Sequence, residues 1–135
     1  MANSKSSGSG GLEEEVINVT KDLLSAIDRR DFKVYRDMTM ENVSCFERGT
    51  MGDLVEGLDF HEYYFDKIPP ENCSVTIINP RVHVFGPDAA CIAYVRLRQR
   101  TTEPAITVTF RTQETRVWQR IDGKWKVIHF HSTPL

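Results

Sequence analysis

Five side chains carry most of the chemistry this sequence can offer: His61, Tyr64, Arg96, Glu114 and Arg116. Side chains alternate between the two faces of a strand. On that rule Arg96 shares a face with Ile92 and Tyr94, and Arg116 shares one with Glu114 and Trp118. An arginine held among apolar neighbours must be paired or stay wet, because a buried unpaired charge is very costly. Guanidinium groups suit carboxylates in fork-to-fork geometry. Two readings follow: Glu114 or a backbone carbonyl already satisfies the arginines, or they hold an anionic ligand. His61, Tyr64 and Glu114 also have the group types needed for general acid–base work. No Asp/His dyad on facing elements is evident, however, and two arginines favour binding over proton transfer. No catalytic residue is assigned.

Other candidates are weaker. His129 and His131 lie two apart, hence on one strand face, a spacing compatible with metal ligation. No further His/Cys/Asp cluster joins them, so a packed or hydrogen-bonded pair is expected, and neither a metal nor a cofactor is assigned. The stripe Arg96, Arg98, Arg100 with Tyr94 has the basic and stacking groups of a nucleic-acid surface. A formal net charge of −2 and the lack of any recognised motif argue against that partner. Arg98 and Arg100 are instead expected on a solvated face toward the strand's far end. Three cysteines, Cys45, Cys73 and Cys91, are an odd number at no metal-like spacing. Free thiols in a reducing compartment, and so a cytoplasmic location, are the expectation. No stretch approaches the roughly 18 apolar residues of a membrane span. Glycosylation-type triplets at Asn18, Asn42 and Asn72 read as chance matches in a chain with no secretory signal.

These side chains need a scaffold, and 135 residues are enough for one domain. Residues 1–11 are Ser/Gly-rich and read as a flexible leader or linker. The fold is expected over residues 12–135. Leu12, Val16, Val19, Leu23, Leu24 and Ile27 recur at helical spacing, with an acidic run, Glu13 to Glu15, in the first turn. Asp31 is placed to cap a short second helix through about Met38. A strand is expected at Val43–Phe46 and a loop at Gly52–Leu58. Asp59 is expected to cap a third helix, Phe60 to about Ile68, that Pro69-Pro70 stops. Strand patterning then takes over. Val75–Ile78 and Val82–Phe85 are interrupted by Asn79-Pro80, where the strand should bend or bulge. Ala89–Arg100 and Ile106–Arg120 are long strands, and Asp122-Gly123 is a hairpin turn leading into Trp125–His131. Helices followed by an antiparallel meander make an α+β fold.

The long strands carry apolar residues on both faces. Cys91, Ala93, Val95 and Leu97 oppose Ile92, Tyr94 and Arg96. In the last strand Trp125, Val127, His129 and His131 are expected to oppose Lys126, Ile128 and Phe130. About three helices cover one face, and little remains for the other. Monomers rarely expose apolar patches beyond a few hundred Å², so self-association is expected.

Several blocks taken in order carry a family likeness. They are Leu54-Val55-Glu56-Gly57-Leu58-Asp59-Phe60-His61, Asn79-Pro80-Arg81-Val82-His83-Val84, Asp88-Ala89-Ala90-Cys91-Ile92-Ala93-Tyr94 with Arg96-Leu97, Glu114-Thr115-Arg116-Val117-Trp118, and His129-Phe130-His131. Over about Glu13 to His131 the chain resembles the association (hub) domain of calcium/calmodulin-dependent protein kinase type two. The resemblance implies a nuclear transport factor two-like cone: a long N-terminal helix and two short ones packed in a curved antiparallel sheet around a deep pocket. It implies a homo-oligomer of about 12–14 subunits in two stacked rings, tethering attached domains at high local concentration. It also implies a pocket, with Arg96, Arg116 and His61 on family positions, that receives a small carboxylate. The family's third pocket arginine is replaced by Ser132. The chain carries no glycine-rich loop, H-R-D or D-F-G signature of a kinase.

Overall fold

The structure, a computed structural model, describes residues 11–70, 73–102 and 106–135. Most of the expected leader (residues 1–10) and Asn72 lie outside the described residues, whereas Gly11 already opens the first helix. That helix, α1 (Gly11–Arg29), buries the stripe Val16, Thr20, Leu23, Leu24 and Ala26. Glu13 and Glu14 sit at its positive end and Arg29 in its last turn, the arrangement its dipole favours. Asp31 caps α2 (Phe32–Asp37) by accepting a hydrogen bond from the Val34 N–H at 3.2 Å.

The third helix, α3 (Asp59–Lys67), differs from expectation at its start. Leu58 occupies the cap position without a side-chain bond, so Asp59 lies inside the helix and contributes only its charge to the first turn. At the other end Ile68 is extended, as the residue before a proline must usually be.

The strands are β1 (Thr39–Phe46), β2 (Val55–Glu56), β3 (Ser74–Val84), β4 (Ala89–Thr102), β5 (Ile106–Ile121) and β6 (Lys124–Pro134). They form one sheet in the order β2-β1-β6-β5-β4-β3. The meander from β3 to β6 is antiparallel throughout. Asp122 and Gly123 turn β5 into β6 with φ of 52° and 79°, the left-handed pair that a tight two-residue hairpin needs. One seam departs from an all-antiparallel sheet, because β1 runs parallel to β6. Its cause lies just before β1. The Val127 N–H donates to the Met38 carbonyl at 2.9 Å, and Lys126 Nζ donates to the Asp37 carbonyl at 2.8 Å. The end of α2 is thus clamped to the start of β6, and β1 leaves that point in the direction of β6.

Two bulges decide which residues face inward. In β3, Ile78 pairs with Val95 and Arg81 with Ala93, so one extra residue is inserted at Asn79-Pro80. Asn79 takes the left-handed conformation there, with φ 50°. In β6, Val127 pairs with Trp118 and His129 with Val117, which inserts Ile128. This second bulge corrects the strict alternation expected for the last strand. Phe130 points inward with Trp125 and Val127, while His129 and His131 turn to the other face.

All three helices contribute to one core on the inner side of the sheet. Leu23 and Leu24 from α1, Tyr35 from α2 and Phe65 from α3 pack with Ile92, Trp118, Val127 and Phe130. Trp118 is fully buried and donates its indole N–H to Thr20 Oγ1 at 3.1 Å.

Candidate functional site

The polar end of the inner face is assembled by strand register. Antiparallel pairing of β4 with β5 sets Tyr94 opposite Glu114, Ile92 opposite Arg116 and Arg96 opposite Thr112. The four polar side chains therefore interleave on one surface, and each is at most 6% exposed. Tyr94 donates its hydroxyl proton to Glu114 Oε1 at 2.6 Å and accepts from Arg116 Nε at 2.9 Å. Arg116 Nη2 reaches the same carboxylate oxygen at 3.3 Å. Arg96 Nη1 stands 3.6 Å from Glu114 Oε2, to which Ser132 Oγ donates at 3.3 Å. Phe130 lies beneath Arg116, with the guanidinium carbon 4.5 Å from the ring centre.

The other partner of Arg96 comes from the end of α1. Asp28 Oδ1 accepts from Arg96 Nη2 at 2.6 Å, and both groups are buried. Two buried cations therefore meet two buried anions, which is the condition for keeping charges inside a fold. Burial alone would raise the Glu114 carboxyl, but Arg116, Arg96 and the Tyr94 hydroxyl outweigh it and hold the group below its ordinary value. Burial also works against the Arg116 charge, yet Tyr94 and Glu114 keep its pKa above normal. Pairing is incomplete all the same. Arg116 Nη1 and Arg96 Nε are buried donors with no hydrogen-bond partner among the described residues, and each is costly to leave unmade.

These residues border a cavity of about 870 Å³ that opens toward solvent beside α3. All five sequence candidates, His61, Tyr64, Arg96, Glu114 and Arg116, line it. Tyr64 forms part of the wall, with the Arg30 guanidinium 4.9 Å from its ring centre. His61 has its Nδ1 at 2.7 Å from the Tyr35 hydroxyl and its Nε2 at 3.8 Å from Cys45 Sγ. Burial, with a smaller push from Arg116, lowers its pKa to about 4, so the ring is neutral. Burial and the nearby Glu47 push the Cys45 thiol up to about 12. The Cys45–His61 contact therefore resembles a nucleophile and its base, but the thiol stays protonated and inert.

Sequence reasoning passed over two residues that matter here. Asp28 breaks the apolar stripe of α1, four residues after Leu24, and a charge in such a stripe signals a buried partner. Glu47 follows Val43 and Cys45 at period two, which marks it as the next inward position after β1. It lines the cavity, and burial raises its pKa, a rise that Arg116 and the Gly49 N–H oppose and Glu114 assists.

The remaining candidates are placed elsewhere. Arg98 and Arg100 do not form a solvated stripe, since both are half-buried and lie over the Phe110 ring at 5.7 and 5.3 Å. On the opposite side of the sheet His129 Nδ1 is 2.7 Å from Ser44 Oγ, and Phe46 packs against both His129 and His131. Among the described residues no group of three His, Cys, Asp or Glu side chains could hold a metal ion. None of the described helices is long and apolar enough to cross a membrane.

The opposite face is built from Cys91, Ala93, Val95 and Leu97 on β4, Val117 on β5 and Ile128 on β6, all half-buried. None of these belongs to the core cluster.

Three comparisons with known proteins bear on this architecture. Residues 12–135 match the family model described as the calcium/calmodulin dependent protein kinase II association domain. The calcium/calmodulin-dependent protein kinase type II alpha chain of Drosophila melanogaster is 42% identical over 126 residues. That match takes in 91% of this chain but only 24% of the fly kinase. The solved association domain of the Caenorhabditis elegans kinase superposes with a TM-score of 0.86 at 37% identity, covering 91% of this chain and 95% of the worm domain. A more distant likeness concerns the fold alone. A protein assigned as a dehydratase of the nuclear transport factor two-like family, from Streptomyces avermitilis, is 17% identical with a TM-score of 0.73, covering 93% of this chain and 97% of that one. The α+β cone is the architecture this chain shares with the two solved structures.

Proposed function

The chain belongs to the calcium/calmodulin-dependent protein kinase II association-domain family, and on that premise we propose that it is a non-catalytic oligomerisation hub. It assembles with copies of itself into two stacked rings and holds attached domains at high local concentration. A cytoplasmic setting suits Cys45 and Cys91, which are free thiols. The observation that carries the reading is the uncovered sheet face. Cys91, Ala93, Val95, Leu97, Val117 and Ile128 form an apolar surface outside the core that the described helices join. A second copy supplies the missing layer. At roughly 25 cal/mol per Å² such a surface favours association over exposure.

The cavity adds a ligand role. Arg116 Nη1 is a buried donor lacking an acceptor among the described residues, and Arg48, Arg98 and Arg111 also line the cavity. A small carboxylate entering there meets a positive rim and completes the hydrogen bonding of Arg116. Ser132, standing where the family carries a third arginine, weakens the positive field and leaves Arg116 the main contact.

An enzyme using the same cavity is the competing reading, since related cones host dehydratases. The geometry disfavours it. Glu114 is bonded to Tyr94, Arg116 and Ser132 rather than to His61, and His61 is bonded to Tyr35. Among the described residues no acid–base pair is assembled that a substrate could meet.

Native mass of the purified protein, by light scattering on a sizing column or by native mass spectrometry, tests the hub directly. A particle of about ten or more subunits is expected. A monomer or plain dimer overturns the assembly role and leaves the cavity as the functional feature.

A further inference from the structure

Glu47 is the least settled charged group of the cavity. Glu114 is tied by Arg116, Tyr94, Arg96 and Ser132. Asp28 is paired with Arg96. Glu47 lies close enough to Arg116 to feel its charge, yet among the described residues it forms no ion pair within 4.0 Å. Its side chain accepts only from backbone, beside the turn Arg48–Thr50. A half-buried carboxyl and an unpartnered guanidinium nitrogen thus border one space without bridging it.

We propose that a carboxylate bound at Arg116 is taken up together with one proton, which Glu47 and the ligand then share. This deepens the carboxylate-site reading and rests on it. The reason is electrostatic. A second carboxylate placed beside the half-buried Glu47 repels it, and two like charges at short range cannot both stay ionised cheaply. One proton turns the repulsion into a short hydrogen bond between carboxyl and carboxylate.

The neighbours leave Glu47 as the group able to take that proton. From α3, His61 is neutral, with a pKa of about 4. From α2 and β4, Tyr35 and Tyr94 are raised by burial and keep their protons. From β1, Cys45 is a thiol with a pKa of about 12. From β5, Glu114 is held low by Arg116 and Arg96 against burial, and Arg116 stays charged. Asp28 from α1 and Arg96 from β4 form their own pair. Of the carboxyls at the cavity, Glu47 is the one shifted toward its protonated form, by burial first, against Arg116 and the Gly49 N–H and with help from Glu114.

Phenylacetate, whose ring suits the aromatic walls and whose carboxylate suits Arg116, is the probe. Its binding to the full chain is followed by calorimetry from about pH 6 to about pH 8, in pairs of buffers with different ionisation heats. Close to one proton is expected to enter with each ligand, and the dissociation constant is expected to rise about tenfold per pH unit at the alkaline end. Glu47→Gln keeps the acceptor for Gly49 but removes the titration, so its binding should be independent of pH and take up no proton. Should phenylacetate bind the unaltered chain with a flat affinity and no proton, the shared-proton inference fails while the ligand site stands. Should it not bind at about millimolar concentration, the site itself fails and the inference with it. The proton count of the unaltered chain decides the matter even where the variant folds poorly.

Discussion

The two faces of the central strands are built from alternate residues of the same segments, yet they solve opposite problems. On the inner face of β4, Ile92, Tyr94 and Arg96 are covered by the chain's own helices and paired with its own charges. On the outer face Cys91, Ala93, Val95 and Leu97 are half-buried and uncovered. Among the described residues the inner face holds the buried charge but leaves buried donors unmade, Arg96 Nε and Arg116 Nη1 among them. The outer face holds an apolar strip, Cys91 to Leu97 with Val117, among threonines, glutamines and histidines. An incomplete polar network asks for a small acceptor, whereas an incomplete apolar layer asks for another protein surface. Assembly and ligand binding are therefore separable by mutation, although residues one apart serve them.

The sharpest way to break this division is to place a charge on the outer face. Val117→Asp sits at the centre of that face, between Cys91 and His129. It should abolish the ring and leave a monomer or dimer in native mass spectrometry, with the far-ultraviolet circular dichroism unchanged. Retention of the large particle would mean that another surface makes the assembly.

The inner face should respond to a charge removed rather than added. Glu114→Gln keeps the shape but leaves Arg96 with only Asp28 and Arg116 with no anionic partner. Breaking a buried pair from one side costs about 3–5 kcal/mol. Urea unfolding in the Val117→Asp background would isolate that loss from any contribution of assembly. A change below about 1 kcal/mol would show that water already reaches these arginines.

Legibility in the sequence followed the range of the interactions. The α1 stripe, the Asp31 cap and the Asp122-Gly123 turn involve neighbours within a few residues, and each appears in the structure where spacing placed it. The inward direction of Arg96 and Arg116 was legible too, because strand alternation is local. The partner of Arg96 was not, since Asp28 lies 68 residues away and nothing in β4 points to α1. The face of Phe130 was misread because the inserted Ile128 shifts the phase, and a bulge leaves no mark in a pattern of apolar residues. The parallel seam depends on the clamp between α2 and β6, which only the folded chain brings together. Glu47 is harder to read because it lies one residue beyond β1, although its period with Val43 and Cys45 continues.

The smallest of the expected effects distinguishes the faces by pH. His61 is buried on the inner side, and its pKa falls from 6.5 to about 4 on folding. The unfolded chain therefore binds more protons between those values, so stability must rise with pH across that window. The contribution is fully present above about pH 6.5 and is lost progressively on the way down to about pH 4, up to about 3 kcal/mol in all. Glu47 opposes this, because its raised pKa means that protonation relieves a buried charge as the pH falls. The net loss between pH 7 and pH 4.5 should accordingly be smaller than His61 alone would give. His61→Gln keeps a polar contact for Tyr35 but cannot take a proton, so its stability should change less over the same interval. His129, half-buried on the outer face and lowered by burial and by His131, adds to the slope in the same direction, and more so where assembly covers it. If Val117→Asp and the unaltered chain lose stability in parallel on acidification, the pH response arises within the single chain and not from assembly. If the two diverge, the outer histidines titrate against the interface, and the faces are coupled rather than independent.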